Sequence, residues 1–371
     1  MAATMIDQLR ELVVQVGGNA QTALELEPDQ AVAHNALDSL GFTAFIAALE
    51  EHFAIRVGDK SSVKLRSLKD FAQYVEAQLE RSQDVDSCAA DNGAAEAGDL
   101  TLDGAPLHYE IAGNGPPLLL LNGIGLDLSA WAPLVQALCG ERRLVLLETR
   151  GSGLSGPPPE PCTTARLAAD ALALLDHLCL DSVDVLGFSL GGLVAQELAL
   201  LAPNRIRSLV LAATAARLPG RTRRALDAWR HLLLTGVEAY AFRRQQFAWI
   251  FSPATLENDA LIDGALATLA SAPAPSARGF SAQADACLAH DSRDRAPRID
   301  APALVLAGAD DVLLPATAAE TLAGLLPRGR FEYHPGGHAF LSENTKVVAR
   351  SVLQFLGSPA RQRENKAQRK N

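Results

Sequence analysis

The chain has 371 residues, 48% of them hydrophobic and 20% charged, and a formal net charge of −10. That length exceeds what one ordinary core accommodates, so two domains are expected. The acidic balance argues against nucleic acid, whose phosphates need a clustered basic surface, and no apolar run approaches the roughly 20 residues of a membrane-spanning helix.

The opening segment Met1-Ala2-Ala3-Thr4-Met5-Ile6-Asp7 has neither a basic n-region nor an apolar h-region, so a cytoplasmic location is expected. Residues Met5 to Glu80 then carry three patterns at three-to-four-residue spacing, the period of an amphipathic helix. They are Ile6, Leu9, Val13, Val16; Phe42, Phe45, Ile46, Leu49, Phe53; and Leu68, Phe71, Val75, Leu79. A small helical domain over 1–81 follows. Asp38 and Ser39 stand just ahead of the second pattern, and Ser67-Leu68-Lys69-Asp70 reads as a capping box opening the third.

Residues 82–98 are small and acidic, with no large apolar side chain beyond Val85, and cannot bury enough surface to fold alone. A flexible linker is expected there, with an r.m.s. span of roughly 20–25 Å. From Asp99 the texture changes to an α/β domain over 99–357. Leu118–Leu121, Leu144–Leu147, Val183–Leu186, Leu209–Ala212 and Leu304–Ala307 are short aliphatic runs separated by helical patterns, as in a parallel sheet covered on both faces. Between about 217 and 293 the strand signals vanish and aromatic residues such as Trp229, Phe242 and Trp249 appear, which predicts a helical cap after the sixth strand. Residues 358–371 form a basic tail. The scattered cysteines Cys88, Cys139, Cys162, Cys179 and Cys287 contain no C-x-x-C pair, which fits reduced thiols and indicates no metal.

Gly187-Phe188-Ser189-Leu190-Gly191-Gly192 follows an apolar strand and precedes the helical run Leu193–Leu201. This is the strand-turn-helix setting of a nucleophile elbow, with glycines where a sharp turn leaves no room for side chains. A serine hydroxyl needs a base to take its proton, so a carboxylate and a histidine are required downstream. The strand Leu304–Gly308 ends in Ala309-Asp310-Asp311; the spacing to Pro315 favours Asp311, and Asp310 reads as a solvated turn residue. His338 lies in the loop Pro335-Gly336-Gly337-His338, whereas His334 falls within a strand pattern and His290 at a helix end. Backbone N–H groups of Leu190 and of Ile124, in Asn122-Gly123-Ile124-Gly125, are the candidate oxyanion donors.

With these motifs in place, residues from about Leu100 to Leu356 resemble the α/β-hydrolase superfamily of esterases, enol-lactonases and thioesterases. The elbow, the run Glu148-Thr149-Arg150-Gly151-Ser152-Gly153-Leu154-Ser155 and the segment Pro302 to Asp311 carry the likeness. Two positions depart from it: Asn122 stands where the family usually has His, and Glu148 where it usually has Asp.

The first 80 residues resemble an acyl carrier protein, through Asp38-Ser39-Leu40 and Ala48-Leu49-Glu50-Glu51-His52-Phe53. That resemblance implies a four-helix bundle in which a phosphopantetheinyl transferase esterifies Ser39 with 4'-phosphopantetheine, and fatty-acid or polyketide synthesis enzymes as partners. A helical docking module in which Ser39 only caps a helix is the plainer alternative. The two resemblances together imply hydrolysis of a carrier-bound acyl thioester by Ser189, His338 and Asp311. The alternatives are an esterase or lactonase, an acyltransferase using the same residues, or an inactive carrier-docking scaffold.

Overall fold

The computed structural model describes residues 5–16, 26–30, 32, 37, 39–53, 65–76, 96–158, 160–271 and 276–357. The chain divides into two units, Met1–Ser87 and Cys88–Asn371.

In the first unit, helices span Met5–Gln15, Ser39–Phe53 and residues 68–76. Their apolar faces meet in a core of its own that includes Leu9, Val13, Phe45, Leu49, Phe71 and Val75. Phe45 and Phe71 pack edge to face with ring centroids 5.1 Å apart. The third helix opens on a reciprocal capping box: Asp70 N–H donates to Ser67 Oγ at 3.2 Å, and Ser67 N–H donates to Asp70 Oδ2 at 3.0 Å. The backbone N–H groups of Ser67 and Arg66, both donating to Asp70 Oδ2, hold the Asp70 carboxyl below its ordinary value. Asp38, the side chain of Ser39 and most of the expected linker lie outside the described residues.

The second unit is built on an eight-stranded mixed sheet in the order β1-β2-β4-β3-β5-β6-β7-β8. The strands are β1 Glu96–Leu102, β2 Ala105–Ala112, β3 Pro117–Leu121, β4 Arg143–Leu147, β5 Val183–Phe188, β6 Ile206–Ala212, β7 Ala303–Gly308 and β8 Gly329–His334. β2 runs antiparallel to both β1 and β4, and the strands from β4 to β8 are mutually parallel. Strands β3 to β7 are aliphatic on both faces because helices cover both: Thr164–His177 and Leu190–Leu201 on one side, Ala132–Leu138 and Thr345–Gly357 on the other.

β1 begins at Glu96, inside the segment expected to be linker. Its residues need only backbone pairing with β2, from Glu96 opposite Ile111 to Leu102 opposite Ala105, so a largely exposed strand forms without an apolar run. Cys162, Cys179 and Cys287 are free thiols, but Cys139 is disulfide-bonded, which corrects the expectation of reduced cysteines throughout. Cysteine spacing carries no information about which Cα atoms fold close enough to bridge.

Between β6 and β7 the chain leaves the sheet to form a cap of helices Gly220–Leu234, Ala239–Ile250, Pro253–Leu256, Asp259–Ser271 and Ala277–Ala289. Aromatic contacts fasten these helices together: Trp229 with Trp249 at 6.3 Å and Phe242 with Phe280 at 5.6 Å, both edge to face. No helix among the described residues is long and apolar enough to cross a membrane.

Candidate active site

The loops leaving the carboxyl ends of β3, β5, β7 and β8 converge, and they carry Ile124, Ser189, Asp311 and His338 respectively. Ser189 sits between β5 and the helix Leu190–Leu201 with φ 53° and ψ −113°. A non-glycine residue there costs on the order of 1–3 kcal/mol and persists only where its surroundings hold it. Here the Ser189 N–H donates to Ala212 O at 2.9 Å, and its carbonyl accepts from Gly192 N–H at 3.0 Å. The turn also depends on bare glycines. A Cβ at Gly187 would run into the Gly191 carbonyl oxygen, and one at Gly191 into that of Leu121.

Ser189 Oγ lies 3.1 Å from His338 Nε2, and His338 Nδ1 lies 2.8 Å from Asp311 Oδ2. Asp311 Oδ1 accepts from Leu314 N–H at 2.7 Å, so both carboxylate oxygens are engaged and the group is fixed in place. Asp311 and His338 are buried, and the Phe188 ring packs 5.3 Å from the imidazole. Asp310 is exposed. His334 ends β8, stacked on Phe340 at 5.7 Å, and burial pushes its pKa below the usual value. His290 is buried with Nδ1 at 2.9 Å from Thr164 Oγ1. Neither rival histidine has Ser189 among its hydrogen-bond partners.

The Leu190 N–H opens a helix, where an intrahelical acceptor is lacking, and the Ile124 N–H lies in the loop after β3. Among the described residues neither has an acceptor. Asn122 keeps this loop folded by donating from Nδ2 to Asp127 O at 2.8 Å. Glu148 braces it from below: Oε1 accepts from Leu128 N–H at 3.2 Å, while Oε2 accepts from Leu154 and Ser155 N–H. Burial pushes the Glu148 carboxyl above its usual range despite those donors. The two departures from the family pattern are thus structural supports of the loop.

The histidine loop has a brace that the sequence did not disclose. Glu343 Oε2 accepts from Gly337 N–H at 2.7 Å, directly before His338, while Oε1 accepts from Ser252 N–H at 3.0 Å and Ser252 Oγ at 2.6 Å. Burial opposes its charge, but hydrogen bonds from Ser252, Thr255 and Gly337 outweigh burial and hold the carboxyl below its ordinary value. A depressed carboxyl contributes stability above its unfolded pKa of 4.5 that is lost as pH falls through the lower folded pKa. Glu343→Gln is therefore expected to cost about 1–2 kcal/mol in urea unfolding at pH 7, with the gap to the wild type narrowing at pH 4. A gap that widens on acidification would contradict this role.

Ser189 and His338 open onto a cavity of about 540 Å³ lined by apolar side chains, among them Leu126, Trp131, Trp229, Phe247, Ile250 and Leu314. Among the described residues none that lines it is Asp, Glu, Lys or Arg, which suits an uncharged, apolar group. A second cavity, of about 640 Å³, borders the loop after β3 and is lined by polar residues including His108, Asp127 and Arg243, but it contains neither Ser189 nor His338. No group of side chains that could hold a metal occurs among the described residues.

The sequence model of the alpha/beta hydrolase fold matches residues 116–345. RutD of Azorhizobium caulinodans, provisionally named a carbamate hydrolase, is 34% identical over 68% of this chain and 96% of its own. The crystal structure of a hydrolase from Pseudomonas aeruginosa PA01 is 35% identical, covers 72% of this chain and 100% of its own, and superposes with a TM-score of 0.64. That of the enol-lactonase from Burkholderia xenovorans LB400 is 28% identical, with coverages of 70% and 100% and a TM-score of 0.65. The eight-stranded sheet, the match over its residues and the likeness to these hydrolases establish that the chain belongs to the α/β-hydrolase fold family and is an enzyme, a hydrolase of that family.

Proposed function

We propose that the protein is a serine hydrolase of apolar acyl thioesters, with Ser189 as nucleophile, His338 as general base and acid, and Asp311 as the carboxylate that orients His338. The observation that carries this reading is the continuous chain of contacts from Asp311 through His338 to Ser189 at the mouth of an uncharged cavity. With Nδ1–H donating to Asp311, His338 Nε2 is free to take the Ser189 proton. Oγ then bonds to the acyl carbonyl carbon, and the oxygen's developing charge is met by the N–H groups of Leu190 and Ile124. As the C–S bond breaks, His338 returns the proton to the leaving sulfur. Water, deprotonated by His338, next bonds to the acyl carbon, the C–Oγ bond breaks, and the proton goes back to Ser189 with release of the acid.

The thioester part of the reading rests on the first unit. Ser39 is the first residue of the helix Ser39–Phe53, and a helix N-terminus favours the negative charge of a phosphodiester. Phosphopantetheine esterified to Ser39 by a transferase would supply the thiol that carries the acyl group. Tethering the substrate in the same chain raises its concentration at the hydrolase. A second reading, hydrolysis of a free ester or lactone, is favoured by the likeness to the Burkholderia enol-lactonase.

Intact-mass analysis after co-expression with a phosphopantetheinyl transferase separates the two. The thioester reading predicts an arm mass that Ser39→Ala abolishes, and acyl adducts that accumulate only with Ser189→Ala. An unmodified Ser39, with full activity on free esters, would leave the ester reading in its place.

A further inference from the structure

We infer that Gln283, on the cap helix Ala277–Ala289, is a positioning residue for the oxyanion hole, setting the Ile124 N–H through its neighbour Gly125; this rests on the Ser189 reading above. Gln283 is fully buried, and both ends of its amide are used. Oε1 accepts from the Gly125 N–H at 2.8 Å. Nε2 donates to the Arg150 carbonyl oxygen at 2.8 Å and to Ser152 Oγ at 3.1 Å. One side chain therefore ties the cap to the loop after β3 and to the loop after β4.

The direction of the contact matters. A peptide plane is rigid, so the acceptor that fixes the Gly125 N–H also fixes the Ile124 carbonyl to which it is joined. With that plane set, only the φ and ψ of Ile124 separate it from the Ile124 N–H. Gly125 has φ +68°, and glycine is the residue that visits both signs of φ without penalty. Left unheld, this is the residue at which the loop would turn. Oxyanion donors act by being aimed beforehand, so an external acceptor at this point has a catalytic consequence without touching substrate.

The cap helix packs directly against the loop after β4. A Cβ on Gly279 would run into the Gly151 carbonyl oxygen, so the two glycines let the backbones approach until the Gln283 amide spans the gap. The buried amide also has a strong preference for keeping its partners, since a buried amide left without them loses its hydrogen bonds to water and gains none in return.

Gln283→Met keeps the side chain's length and removes both ends of the bridge. Using p-nitrophenyl esters, with rates normalised to the fraction of Ser189 labelled by a fluorophosphonate, we expect kcat to fall about 10- to 100-fold while KM stays within threefold. The affinity for a trifluoromethyl ketone, which forms an oxyanion adduct with Ser189, should fall in parallel with kcat/KM, while affinity for the product acid is unchanged. Gln283→Glu, which keeps an oxygen for the Gly125 N–H, should retain more of kcat than Gln283→Met, and it serves should the Met variant not fold. A normalised kcat within threefold of the wild type in both variants would overturn the inference, leaving Gln283 a packing residue, as would a change confined to KM. Failure of the wild type to label at Ser189 would instead overturn the underlying reading of the site.

Discussion

Ser189→Ala is expected to lower kcat by about ten-thousand- to a million-fold, with the melting temperature within a few degrees of the wild type. The size of the loss follows from the chemistry: without Oγ no acyl-enzyme forms, and only the oxyanion donors and substrate binding remain to assist water. The small effect on stability follows from the turn. Its unusual φ of 53° is imposed by backbone hydrogen bonds to Ala212 and from Gly192, and alanine meets the same backbone penalty as serine. Steady-state kinetics on an activated ester, beside thermal unfolding of both proteins, measures the two quantities. A residual rate within a hundredfold of the wild type would place the nucleophile elsewhere.

Asp311→Asn should cost about ten-thousand-fold in kcat with KM little changed. The replacement is isosteric, and its carbonyl oxygen can still accept from Leu314 N–H where Asp311 Oδ1 does now. The remaining amide NH2 would then face His338 Nδ1, where Asp311 Oδ2 stands at 2.8 Å. Two donors cannot share that contact, so the imidazole would shift its proton to Nε2 and lose the lone pair that receives the Ser189 proton. Asp310→Asn, at the exposed neighbouring position, should leave kcat within about twofold. Equal losses in the two variants would mean that the carboxylate acts through the field of the loop rather than through the histidine contact.

The parts of this fold that were legible in the sequence are those buried on both sides. β3 to β7 read as continuous aliphatic runs because helices cover both faces, and the glycines of the elbow are forced by contacts too close for any Cβ. The strands at one edge were harder to see. β1 is mostly exposed and β2 runs antiparallel, so neither shows the apolar run that marks the sheet's centre. The same logic divides the site. Ser189, Asp311 and His338 follow recognisable strand ends, so each carries a local pattern. Gln283 and Glu343 carry none: their partners Gly125 and Ser252 lie 158 and 91 residues away in the chain, and only the folded cap brings them together. In a single sequence a buried glutamine on an amphipathic helix looks like any other polar residue.

Both braces join the cap to a loop of the candidate site, Gln283 to the loop after β3 and Glu343 from the histidine loop to Ser252 and Thr255. The cap therefore does more than wall off the apolar cavity. It is hydrogen-bonded to the loops on either side of Ser189, so on the proposed reading pocket shape and the placement of the reacting groups are linked.

Labelling with a fluorophosphonate, followed by peptide mass mapping, tests the central claim most directly. The account predicts a single stoichiometric adduct on Ser189, absent in Ser189→Ala and strongly slowed in His338→Ala. Folded wild-type protein that stays unlabelled, or that carries the adduct on another serine, would contradict it.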